Sequence, residues 1–331
     1  MTILRDVPDD RPLPGSFFEP LAMSIHLRRY KEQVYTVFAT YLDESFDMNQ
    51  RDIFAVGGVV GHYGALFELD RKWEALLKRP DINIDFFKAA KCARGTDQFA
   101  KFVKIPGSPT PEEQKRLDAI SHEFISLIAK EPNVIVYGIG VIQNDFQDVI
   151  KDKYALSVLG NDPFPFAYDL AMVQAAWIMK EGEKARKSKS KGRRVEPYLT
   201  SFVADDHEVY GPLAAERYVK LKASNPEAEK YMGSHSLGDD KKVCVLQAAD
   251  AVAYEIRRVL HIAHKQTTKA MRPQFKLFRD FSKMATIHTA VKQNLLNTVS
   301  LHKPGDSFNL SDVMETEYTE NIRIEEEEEK T

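Results

Sequence analysis

The chain reads as an α/β fold on three observations. Short apolar runs rich in β-branched and aromatic residues have the length of buried strands, longer stretches between them keep a helical period, and two of the strands finish in clustered carboxylates. The opening stretch, residues 34–47, reads VYTVFATYLDESFD. Val34, Val37, Phe38, Tyr41 and Leu42 suit a buried strand, and its end carries Asp43, Glu44 and Asp47. Unpaired anions cost several kcal/mol when taken out of water, so this strand end needs cations, donors or solvent. A divalent metal would supply the charge. A turn facing water accounts for one such end equally well, and it is recurrence downstream that weighs against it.

Residues 52–61, DIFAVGGVVG, predict a second strand. Their short link to the first favours an antiparallel hairpin, and Gly57-Gly58 implies a bend or a close backbone approach. Leu66, Leu69, Trp73, Leu76 and Leu77 then recur at helical spacing, and DINIDFF (81–87) is expected as a third strand. Thr110-Pro111-Glu112-Glu113 is a helix start, and the helical period runs from Leu117 to Ile128. NVIVYGIGVIQ (133–143) is a strand followed by Asp145, an acid better suited to capping a helix than to holding a metal. Residues 145–183 are mostly helical, with Phe164-Pro165-Phe166 as an interruption. The basic run KEGEKARKSKSKGRR (180–194) is a solvated loop or, alternatively, a phosphate-contacting arm through Lys187, Lys189, Lys191, Arg193 and Arg194.

The second acidic strand end is YLTSFVA followed by Asp205-Asp206-His207-Glu208. The third acidic site is VCVLQAADAVAYEIRR (243–258), where Gln247, Asp250 and Tyr254 share a flank beside an apolar stripe. Ala248, Ala249 and Ala251 would let that helix approach a sheet closely. Residues 271–296 read as a further amphipathic helical region, and the Glu-rich end predicts disorder.

Bulk properties exclude several classes. With 331 residues, 43% of them hydrophobic, the chain can bury a large core. Two cysteines make no disulfide framework and have no metal-finger spacing, which points to a reducing cytoplasm. No apolar run is long enough to span a membrane, and the first residues lack signal-peptide character. From Glu315 on, eight Glu and two basic residues give −6 within a net charge of −3, which leaves the body at about +3. That body can meet a polyanion.

Taken together, YLDESFD, FAVGGVV, VADDHE and VLQAADAVAYEIRR resemble the bacterial family called domain of unknown function 3800 over about residues 34–262. The resemblance implies a ribonuclease H-like mixed sheet with helices on both faces, enlarged by additional helices. It implies a triad of Asp43, Asp205 and Asp250, with Glu44, Glu208 and Gln247 as neighbours. Phe46 departs from the family pattern, which has Gly there. The expected layout is an N-terminal arm (1–33), one domain (34–300) with a helical insertion at about 145–195, and an acidic tail (301–331).

The function these readings support is metal-dependent phosphodiester hydrolysis of DNA or RNA. Asp43, Asp205 and Asp250 would bind Mg2+ or Mn2+ and, with Glu44 and Glu208, act in catalysis. An inactive nucleic-acid-binding or regulatory module of the same fold is the alternative. A hydrolase of small phosphate compounds is a third reading. Ser45 stands where an aspartyl-phosphate enzyme would carry its second Asp, and it has no His-Asp partnership in sequence. His207 is expected to bond a neighbouring carboxylate rather than to move protons.

Overall fold

The computed structural model describes residues 38–46, 52–190, 195–264, 272–280 and 284–308. Val34, Val37, Asp47, Lys191, Arg193, Arg194, the expected arm and residues 309–331 of the expected tail lie outside them; residues 301–308 of that tail belong to the fold, with Phe308 buried and its N–H donating to Asp169. Strand β1 (Phe38–Ser45) pairs antiparallel with β2 (Ile53–His62), and β2 pairs antiparallel with β3 (Val134–Ile142). On the other side β1 runs parallel to β4 (Thr200–Asp205), and β4 parallel to β5 (Met232–Gly238). A last strand, β6 (Met284–Ala290), runs parallel to β3. The sheet order is β5-β4-β1-β2-β3-β6. This is the expected ribonuclease H-like mixed sheet, with one strand added beyond β3.

Helices cover both faces. On one lie α1 (Tyr63–Leu77), α2 (Ala89–Arg94), a 3-10 turn (Asp97–Phe102) and α3 (Pro111–Lys130), together with the long α9 introduced below. Helix α3 begins as the sequence predicts: Thr110 Oγ1 accepts the Glu113 N–H and Glu113 accepts the Thr110 N–H, so each satisfies an orphan donor. On the other face α4 (Gln143–Val149) and α5 (Lys153–Leu159) lead into α6 (Phe164–Lys189), followed after β4 by α7 (Tyr210–Ser224) and α8 (Pro226–Glu229). Phe164-Pro165-Phe166 starts α6 instead of interrupting it, because Pro is tolerated in a first turn where its missing N–H has no partner to lose.

Helix α9 (Cys244–His264) packs directly on β2. A Cβ at Gly57 would stand 2.3 Å from the Ala253 backbone nitrogen, so the glycine and the alanine-rich helix face are two halves of one close contact. Gly58 faces the opposite way, against the ring of Tyr137.

Three expectations are corrected. DINIDFF is not a strand. Asn83 has φ +45, and Ile82 and Asn83 donate to the Arg79 carbonyl, so turns occupy the segment while Ile82, Ile84 and Phe87 are buried as loop anchors. Apolar side chains there are fixed by the core, not by a ladder. The region 271–296 is not continuously helical. It divides into α10 (Pro273–Asp280), β6 and α11 (Lys292–Leu301), because the free edge of β3 supplies ladder partners to MATIHTA. The basic run is not a loop from Lys180: α6 continues to Lys189, with Lys187 paired to Glu183 and Lys184 to Glu181, each at 2.5 Å. Asp145 does cap a helix, although a distant one, accepting the Lys292 N–H at 2.8 Å.

Strand β6 carries a test of this packing. Burial depresses the His288 pKa to about 4, and its Nε2 faces Gln174 Oε1 at 2.9 Å. A folded pKa below the unfolded value of about 6.5 means that the unfolded chain binds the extra proton. The stabilisation is therefore complete above pH 6.5 and is lost as pH falls toward 4. Denaturant unfolding of wild type and His288→Gln at pH 7 and pH 5 should show wild type losing about 2 kcal/mol more than the variant. Equal losses would place the imidazole in water.

Candidate carboxylate site

Parallel strands β1, β4 and β5 finish at the same edge of the sheet. Leu42 pairs with Ala204 and Asp205 with Gly238, so Asp43 and Asp205 end neighbouring strands, with Asp239-Asp240 just beyond β5. Crevices outside the carboxyl ends of strands are where open α/β sheets place ligands. Asp250 arrives from α9, within the Ala249–Ala253 turn that packs on Gly57, and the close approach of helix to sheet is what brings it there.

A lysine holds these acids together. Lys88 Nζ lies 2.7 Å from Asp240 Oδ2, 3.3 Å from Asp43 Oδ2 and 3.5 Å from Asp250 Oδ1. The second oxygen of Asp250 accepts the Ala89 N–H at 2.7 Å, and Asp43 Oδ1 accepts the Glu44 N–H at 2.8 Å. Asp43 is 3% exposed and Asp250 8%. Gln247 ties the surrounding segments together: its Oε1 accepts from Trp73 Nε1 and the Phe87 N–H, each at 2.9 Å, and its Nε2 donates to the Asp240 carbonyl at 2.8 Å. That one buried amide fixes the segment before Lys88 and the loop bearing Asp240 to the helix bearing Asp250. Arg257, seven residues along α9, donates to Ser45 Oγ at 3.1 Å.

The charges do not balance. Burial pulls the Lys88 pKa down, but Asp250, Asp43 and Asp240 more than offset this and keep the ammonium charged. One ammonium cannot neutralise the whole cluster. Burial accordingly holds the Asp43 carboxyl well above the usual range against the pull of Lys88, with Glu44, Asp250 and Asp205 pushing the same way. Asp205 is raised by burial and by Asp240. Glu44 is raised to about 7, first by burial and then by Asp205. The pleat turns Glu44 the opposite way from Asp43, toward Phe164, Tyr168 and Tyr210, and a recess at the strand end is lined by these rings together with Asp43, Glu44 and Asp205.

Of the expected triad, Asp43 and Asp250 both face Lys88, and Asp205 ends the strand beside Asp43 without joining that lysine. Glu208 is exposed in the turn entering α7 and is not among the acids that burial gathers. His207 bonds backbone instead of a carboxylate: its Nδ1 accepts from the N–H groups of Val209 and Tyr210. Lys187 and Lys189 stand at the far end of α6, and Lys187 is in an ion pair. Two members of the site went unread in the sequence, Lys88 and Asp240. KAAK and GDDKK look like solvated loop; KAAK directly follows the apolar DINIDFF, whereas GDDKK follows MGSHSL, which carries no apolar signal.

Among the described residues, no group of three or more His, Cys, Asp or Glu stands ready to hold a metal ion. The donor chemistry nevertheless fits a hard divalent cation, because oxygens of Asp43, Asp240 and Asp250 already converge on a single cationic centre, the Lys88 ammonium. No described helix is long and apolar enough to cross a membrane. The chain matches no protein-family model and no curated protein.

Proposed function

We propose that this protein is a divalent-metal-dependent nuclease of the domain-of-unknown-function-3800 kind that its motifs resemble. The reading is carried by the convergence of Asp43, Asp240 and Asp250 on one cation at the sheet edge where Asp205 also ends. Asp43 and Asp250, with Asp240 beside them, would hold Mg2+ or Mn2+, and Asp205 at the end of the neighbouring strand would complete the ligand set the resemblance implies. Such an ion, when bound, would supply Lewis-acid activation of water and of the leaving oxygen of a phosphodiester. The protein's own contribution is positioning. The Ala89 N–H fixes Asp250 in orientation, the Glu44 N–H fixes Asp43, and Gln247 holds the Asp240 loop to the helix that bears Asp250. Lys88, on its four-carbon stem, offsets part of the acids' charge and would be within reach of a substrate phosphate. The basic run on and after α6 would add salt-dependent affinity for the phosphate backbone. Cys92 and Cys244, both buried free thiols, suit the cytoplasm, where such a substrate is found.

The same lysine favours a second reading, a binding or regulatory module of this fold. Lys88 already stands among Asp43, Asp240 and Asp250 and holds them together without a metal. Incubation of the purified protein with labelled single- and double-stranded DNA and RNA, in magnesium, manganese or EDTA, separates the two. Cleavage that EDTA abolishes is expected. Retention of intact strands under every metal condition would leave the binding module.

A further inference from the structure

A column of aromatic rings runs from the core to the carboxylates. Tyr168 stacks on Phe164 at 5.1 Å with planes 17° apart, Phe164 on Tyr210 at 4.5 Å and 15°, and Tyr210 on His207 at 5.3 Å and 28°. Phe46 meets Tyr210 edge-on at 6.1 Å. The inner rings need no function, since Phe164 and Tyr168 are each 2% exposed and simply fill the core. The outer two differ. His207 is exposed and Phe46 is 37% exposed, which core packing does not explain.

Their places are also informative. His207 lies two residues beyond Asp205 and Phe46 three beyond Asp43, so both rings flank the carboxylate edge. The His207 ring is fixed before any ligand arrives, because its Nδ1 accepts two backbone N–H groups at the start of α7, at 3.2 and 3.4 Å. An ordered, exposed ring at the end of a near-parallel stack offers a face to one more planar ring.

We infer that His207, backed by Tyr210 and flanked by Phe46, is a stacking platform for an unpaired base of single-stranded DNA or RNA entering the carboxylate site. This rests on the nuclease reading for its substrate class. Each base has a π-face and duplex bases are already stacked, so the platform selects single strands without selecting sequence. A base held there would place its own backbone beside Asp205.

The test is equilibrium binding in EDTA, where cleavage cannot intervene, by anisotropy of labelled oligo(dT), oligo(U), an abasic strand of equal length and a duplex. Wild type should bind at least one of the two base-bearing strands about fivefold or more tighter than the abasic strand and the duplex. His207→Ala should lose that difference, and His207→Phe should keep most of it. Unchanged circular dichroism and thermal melting of both exposed-site variants would confirm the fold. Equal binding of abasic and base-bearing strands by wild type, an unaffected His207→Ala, or no binding of any strand overturns the platform. Base-dependent binding in a protein that cleaves nothing would retain the platform and reject the nuclease, whereas EDTA-sensitive cleavage with base-independent binding would do the reverse.

Discussion

Lys88→Met will lower the stability of the metal-free protein by about 2–3 kcal/mol. Removing one partner of a buried ion pair leaves the other charge uncompensated, typically at 3–5 kcal/mol, and the 26% exposure of the Lys88 side chain reduces that figure. The variant keeps the apolar stem, so lost packing is a minor part of the effect. Asp43, Asp240 and Asp250 would then face one another without a cation. Magnesium should therefore stabilise the variant more than it stabilises wild type, by up to about 2.7 kcal/mol at a hundredfold excess over Kd. Denaturant unfolding in EDTA and in magnesium measures both quantities. A Lys88→Met protein as stable as wild type in EDTA, and equally indifferent to magnesium, would show that the acids manage with water and protons alone.

Asp250→Asn is expected to reduce cleavage by about 100-fold or more while changing metal-free stability by only about 1 kcal/mol. The asparagine oxygen can still accept the Ala89 N–H that Asp250 Oδ2 accepts at 2.7 Å, so the structural hydrogen bond survives. What is lost is the anionic oxygen that now faces Lys88 at 3.5 Å, the longest of the three lysine contacts. Function and folding are thus separable at this side chain. A strongly destabilised variant would make Asp250 a structural acceptor, and cleavage at the wild-type rate would remove it from the catalytic assignment. Rate and unfolding must be measured on the same preparation.

The elements that the sequence made legible are those whose signal is local. The hairpin of β1 and β2 follows from two apolar runs with a short link, and α3 from a capping box whose partners are three residues apart. The close approach at Gly57 was readable because two glycines in a strand interior need a reason, and the alanines of α9 supplied the matching half. Strand β6 was misread because MATIHTA has no strong period of its own; the ladder it joins belongs to β3, more than 140 residues earlier. The segment 81–87 failed in the other direction. Its apolar residues are buried, as a strand's would be, but Asn83 at positive φ turns the backbone away from any sheet.

Residue types and spacing by themselves determined the α/β class, the acid-ended strands and the presence of Asp250 on a small-residue helix face. Only the tertiary structure decided that Lys88 stands among Asp43, Asp240 and Asp250, that Glu44 turns the opposite way from Asp43, toward Phe164, Tyr168 and Tyr210, and that His207 caps a column of rings. The reason is physical. Propensity, capping and period are set by neighbours a few residues away, whereas charge balance and ring stacking depend on which distant segments the sheet order and the α9 packing bring within a few ångströms.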